Sequence, residues 1–464
     1  MNARLSDSNG SNVMRDIASA SRAAVRTRRA LFTIGAFALA HIVLALLMRP
    51  LPMVAAFHAI ATLVGGVVIA ARRPVHEVPA VVGYIAASEV LWRMTKTPVF
   101  WEFGKYAVCL VLLLTLVRIR AVRNRITILT YFVLLLPSAL LTIFAYELGD
   151  ARELLSFNLS GPLSLMLCVL AFSNIRLDEE HLRKTLLALM GPTIGIAAVA
   201  YSRIAELETI EFTANSNPLL SGGFGPNQVS AVLGLALLAC LLLLLERKQP
   251  LHLRIALLAG AIVFAAQAAL TFSRGGIVLA GISIILASMY LVRDGRTRAT
   301  LVILSILLFT VAELFVLPRL DTFTSGKLAE RYTDTDTTGR SLLAGFDLQI
   351  FADNPWLGVG PGAATPLRAE FGHSGAAHTE YTRILAEHGV LGALAILFLI
   401  ILAIRTLRET ATVRARAFVV AFMAWGALFL AINAMRLVAP SFALGLACAI
   451  AYSSQPRLRE RRAT

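Results

Sequence analysis

Charge is what this chain has least of. Asp, Glu, Lys and Arg together make up 15% of its 464 residues, where soluble domains carry about a quarter. That excludes an ordinary soluble domain. A hydrophobic fraction of 57% and a mean hydropathy of +0.73 put the chain in the membrane class. Acids are the scarcer sign, 28 against 43 basic residues. A basic excess usually points to nucleic acid or anionic lipid, but its distribution here gives a better answer. There are four cysteines, Cys109, Cys168, Cys240 and Cys448, all inside apolar runs. None has a Cys or His at metal-ligand spacing, so they read as small buried hydrophobes and say nothing of redox compartment or zinc. The HxH, HExxH, GxSxG and Walker patterns are also missing. No cleavable signal peptide is evident, and Arg28-Arg29 reads as the basic flank of a first span rather than a twin-arginine signal.

What is there is a series of apolar runs. About fourteen candidate spans can be marked at roughly 20 residues each, from 30–48 to 437–453. The expected fold is all-α, a polytopic membrane protein of about 12–14 transmembrane helices. Lys and Arg collect in alternate connections, among them Arg72 and Arg73, Arg118 to Arg125, Arg293 to Arg298 and Arg405 to Arg416. With the N-terminus in the cytoplasm, most basic residues fall inside, which fits the positive-inside rule. The organisation expected is a cytoplasmic tail 1–29, a helix bundle 30–317, a large outer loop 318–388, C-terminal spans 389–453 and a cytoplasmic tail 454–464. A polar insert of that length between apolar helices is where chemistry is expected.

A few residues stand out. Arg274, in Thr271-Phe272-Ser273-Arg274-Gly275-Gly276, is a charge at a span end, and intramembrane ionisable groups are functional hypotheses by default. A guanidinium beside glycines that admit close backbone approach suits a phosphate; the plainer reading is an arginine snorkelling to the interface. Arg203 precedes an acidic segment and reads equally as an anchor paired with Glu206. Arg340 opens a helix-like run and reads equally as a surface charge paired with Asp336. His378 begins a helix that leads into a span, and His accepts a proton near neutral pH. His373 and His388 compete with it, His388 reading as a structural residue beside Gly389. Arg383 with Glu380 and Glu387 reads as a helix-face ion pair. Asp334-Thr335-Asp336 is a DxD that could hold a divalent metal, but a solvated loop is the better reading.

These pieces resemble the O-antigen ligase and polymerase superfamily of bacterial membrane proteins. The resemblance rests on 271–276, Gly339-Arg340, the Asn354–Gly362 run, His378 followed by Glu387 and Gly389, and Gly225-Pro226-Asn227-Gln228. It implies a GT-C-type, metal-independent glycosyltransferase of the bacterial inner membrane, without cofactor, whose loop with the catalytic histidine is periplasmic. The implied donor is a glycan on undecaprenyl diphosphate, and the acceptor is lipid A–core or another lipid-linked glycan. By carry-over Arg274, with Arg203 by position, would hold the diphosphate, Arg340 is a further candidate, and His378 would activate the acceptor hydroxyl. Thr379, Thr382 and Ala344 stand where the family often has Asn, Leu and Trp, so ligase, polymerase and protein oligosaccharyltransferase stay open. The rival of another class is a transporter or flippase, whose internal repeats with paired broken helices are not evident.

Overall fold

The structure, a computed structural model, describes residues 6–206, 216–246, 249–292, 295–333, 340–370 and 377–456. Nineteen α-helices and no strand occur among them. In chain order they are α1 (Ser6–Met48), α2 (Pro52–Arg72), α3 (Val78–Met94), α4 (Phe103–Arg118), α5 (Arg125–Val133), α6 (Ala139–Ala145), α7 (Leu148–Phe172) and α8 (Glu179–Ala205). Then come α9 (Pro226–Leu244), α10 (Leu251–Leu270), α11 (Gly275–Leu291), α12 (Gly295–Val311), α13 (Leu317–Phe323) and α14 (Lys327–Thr333). The last are α15 (Arg340–Asp353), α16 (Ala364–Glu370), α17 (Glu380–Glu409), α18 (Val413–Ile432) and α19 (Ala439–Ser454). Among the described residues eight helices are long and apolar enough to cross a membrane, and α11 and α19 are shorter apolar ones. The chain is an all-α polytopic membrane protein.

The bundle is built round α9. Every residue from Val229 to Leu244 is buried, and a helix apolar on all sides belongs in the centre of a bundle. It packs against α8, α10 and α11. Small residues make the α9–α11 approach close. A Cβ on Gly276 would stand 1.8 Å from Ser230 O, and one on Gly234 would stand 2.2 Å from Gly276 O. Lipid gives no hydrophobic reward for helix contact, so such small-residue surfaces carry the association. Gly276 was expected to open backbone to a ligand; its space is filled by α9 instead.

Three expectations change in detail. The apolar run 126–145, which reads as a single span in the sequence, is broken into α5 and α6 around Pro137, because proline supplies no N–H to a helical ladder and clashes with the preceding turn. The interval 318–388 is largely helical, with α13 to α16 in it and a π-helical turn at Ala312–Val316 leading in. The region expected as an N-terminal tail is helical from Ser6.

The run Asn354–Gly362 finds its purpose against α17. Gly389 has φ 60° and ψ −141° and kinks that helix. Val390 N–H donates to Pro355 O (2.7 Å) rather than to Ala386 O, four residues back. The carbonyls of Ala386 and Glu387 accept instead from Val359 and Gly360 N–H, each at 3.0 Å. Gly358 has no room for a side chain, since a Cβ would lie 2.4 Å from Glu387 C. The kink is therefore a bonded joint rather than a loose point, which is how a sharp bend away from proline persists.

Candidate active site

The site is built at the end of the bundle where α9, α11 and α17 begin. The turn between α10 and α11 sets it up. Phe272 is fully buried with φ 55°, a region that bulky residues avoid. Ser273 Oγ donates to Asn227 Oδ1 at 2.8 Å, and Arg340 Nη2 donates to the same oxygen at 3.1 Å. Ser230 Oγ donates to Ser273 O at 2.8 Å and accepts from Gly276 N–H at 3.0 Å. Arg331 Nε donates to Phe272 O at 3.2 Å. The Pro226-Asn227-Gln228 start of the central helix thus fixes both the turn that carries Arg274 and the helix that Arg340 opens.

Beside this turn lies a cavity of about 340 Å³. Ser273, Arg274, Arg331, Arg340, His378 and Thr379 are on its wall, and the described lining holds no Asp or Glu. Arg274 directly precedes α11, Arg340 is the first residue of α15, and Thr379 caps α17. Three helix N-termini, each the positive end of a macrodipole, therefore meet three guanidiniums. Burial, then the charges of Arg331 and Arg274, push the Arg340 guanidinium below its usual range. Such an arrangement is made for an anion with several oxygens.

His378 is partly buried on this wall. Burial first, then the positive charges of Arg340, Arg436 and Arg368, hold its imidazole down to about 4. It is neutral near pH 7 and can accept a proton. Its backbone is held from the other side, where Arg436 Nη2 donates to Ala377 O at 3.0 Å. Arg436 O in turn accepts from Arg93 Nη1 at 3.0 Å, and Arg93 Nη1 also donates to Gln228 Oε1 at 3.0 Å.

Of the residues singled out from sequence, Arg274, Arg340 and His378 come together here. Arg203 does not line the cavity. It ends α8 with its side chain 43% exposed, 3.8 Å from Glu206, whose carboxylate is also held by Arg49. His388 is fully buried on Ser138, with Nδ1 2.5 Å from Ser138 Oγ, as a structural residue would be. Arg383, read as a helix-face ion pair with Glu380 and Glu387, makes both pairs and is buried between them. Asp334, Asp336 and His373 lie outside the described residues. Arg331 and Arg436 are additions. Arg331 follows Lys327 and Glu330, which pair at 2.6 Å, and no motif in the sequence marks it. Arg436 stands between two apolar runs just as Arg274 does, and the same rule would have found it.

The fold and this cavity define a class, a polytopic membrane protein with a cationic, histidine-bearing pocket at one end of its helices. Residues 259–397 match the family model described as O-Antigen ligase. That stretch contains Arg274, Arg331, Arg340 and His378, and it supports the O-antigen ligase-related family that the motifs resemble. It also supports an O-antigen ligase-like function in polysaccharide biosynthesis. Comparison with curated proteins gives no match.

Proposed function

We propose that the protein is a GT-C-type glycosyltransferase that moves a glycan from undecaprenyl diphosphate to an acceptor hydroxyl, as an O-antigen ligase does with lipid A–core. The observation that carries this is the meeting of Arg274, Arg331, Arg340 and His378 on one cavity. The acceptor oxygen attacks the anomeric carbon, the carbon–oxygen bond to the diphosphate breaks, and undecaprenyl diphosphate leaves with the bonding pair. The acceptor's proton passes to His378 and from there to solvent. The arginines stabilise the charge that grows on the leaving diphosphate. In this scheme three guanidiniums take the part that a metal takes in other transferases, and the activated linkage supplies the driving force.

The donor also sets the base. Burial first, then the nearby arginines, oppose a proton on His378; a bound diphosphate offsets the arginines' charge and raises the imidazole's affinity for the acceptor's proton. We place the cavity at the periplasmic face of the inner membrane with both termini cytoplasmic, because that orientation puts most Lys and Arg inside. The test is purified protein with undecaprenyl-diphosphate-linked glycan, with and without lipid A–core. Glycan appearing on lipid A–core supports the ligase reading. Ladders of longer lipid-linked glycan without added acceptor would make the enzyme a polymerase. No product with intact protein would shift weight to a transporter of the same lipid.

A further inference from the structure

The first turn of α17 begins two residues after His378, and its four side chains are tied to four different places. Glu380 Oε2 accepts from Met435 N–H at 2.8 Å. Tyr381 Oη donates to Ala427 O at 3.0 Å. Arg383 Nη1 donates to Asn158 Oδ1 at 3.2 Å. Thr382 Oγ1 donates to Asp347 Oδ2 at 2.8 Å, and this bond reaches α15. The other oxygen of Asp347 is held by Arg368 of α16, from Nε at 2.8 Å and Nη2 at 2.6 Å. Both side chains of that pair are 1% exposed.

Asp347 stands seven residues, about two helical turns, after Arg340 and so on the same face of α15. It therefore joins the helix that Arg340 opens to the helix that His378 precedes. Arg340 and His378 line the same cavity. We propose that Asp347 is a positioning residue. Through Thr382 and Arg368 it fixes Arg340 against His378, and with them the donor's diphosphate against the base. The proposal rests on the transferase reading above. A carboxylate locked by a guanidinium and a hydroxyl has little freedom in a buried site, and reacting groups misplaced by about 1 Å can lose about a hundredfold in rate. Thr382 is one of the departures noted from the resembled family, and its hydroxyl makes the tie.

Two measurements test this on the full-length protein in detergent. The first is hydrogen–deuterium exchange of the backbone over 378–388, which does not depend on activity. Thr382→Val, which keeps shape and loses the hydroxyl, is expected to raise exchange in the first turn of α17, and Thr382→Ser is expected to match wild type. The second is transfer kinetics with the undecaprenyl-diphosphate-linked glycan. Thr382→Val is expected to lower kcat about tenfold, the loss of one hydrogen bond in an aligned site, with donor KM little changed. Asp347→Asn is expected to cost more, and the double variant no more than Asp347→Asn alone, because both act through one bond. Unchanged exchange in Thr382→Val overturns the proposal. So does a Ser variant as impaired as Val, or a loss confined to KM. A wild type that transfers nothing would sink the transferase reading, and the exchange result would still decide whether the tie orders α17.

Discussion

At the residue scale the account turns on one imidazole and three guanidiniums. Arg274→Ala and His378→Ala are each expected to abolish transfer while the protein still accumulates; removing a positioned acid–base group typically costs about 10²–10⁴-fold. Arg274→Lys should also be impaired, because an ammonium cannot present a planar fork to a diphosphate. Full transfer by both alanine variants in a strain lacking the wild type would end the assignment. The pH dependence follows from the depressed imidazole. His378 must be neutral to act as base, and in the free enzyme it gains its proton only as pH falls toward about 4. kcat/KM, which reports the free enzyme, should therefore hold well below the ordinary histidine range of about 6.5 before it drops. The acid limb of kcat should lie higher, because a diphosphate bound in the cavity offsets the charge of Arg340. An acid limb of kcat/KM at the ordinary histidine value would contradict this. Arg274 was legible in the sequence because it breaks an apolar pattern, and His378 because it stands at the start of a helix that leads into a span. Arg331 was not, since nothing local in the chain tells that Phe272 O is waiting for it.

At the element scale the glycines divide by what they touch. Gly276 meets α9, Gly358 meets the backbone of 386–388, and Gly389 meets the backbone of the 355–358 stretch. Gly276→Val should force α9 and α11 apart and lower the midpoint of thermal unfolding in detergent, a loss of about 1–3 kcal/mol for overpacking. Gly281→Ala, on the same helix with nothing within 4 Å of its Cβ position, is the neutral control. Equal midpoints for the two would mean that the close α9–α11 contact does not hold the bundle. The helices themselves were readable from hydropathy. Their interruptions were less so. Pro137 stands inside an apolar run, and whether such a proline kinks or divides a helix depends on what receives the freed groups. Within the interval 318–388 the helix-like run from Arg340 was legible and is α15, whereas polarity hid α13, α14 and α16. Those helices bury only part of themselves, as in α15, where just Leu343, Asp347 and Ile350 are buried.

At the scale of the whole molecule the bundle brings distant stretches to one end. Asn227 meets Arg340, 113 residues on, and Arg93 meets Arg436, 343 residues on. Pattern reading gives the spans and cannot give such pairings, which is why the cavity's third arginine and its Asn227 support came only with the fold. Orientation is open to a simple check, because all four native cysteines are buried. Gln349→Cys, exposed on α15, should react with a membrane-impermeant maleimide on spheroplasts, whereas Arg408→Cys, exposed at the far end of α17, should react only after permeabilisation. The reverse pattern would turn the protein over and leave the cavity without a periplasmic donor. The central claim is that this cavity moves a glycan off a lipid diphosphate. The most direct measurement is transfer by purified wild type, Arg274→Ala and His378→Ala from undecaprenyl-diphosphate-linked glycan in the presence of EDTA. The account expects product from wild type alone, undiminished by the chelator. Product that vanishes in EDTA and returns with Mg²⁺ or Mn²⁺, or that persists in both variants, would contradict it.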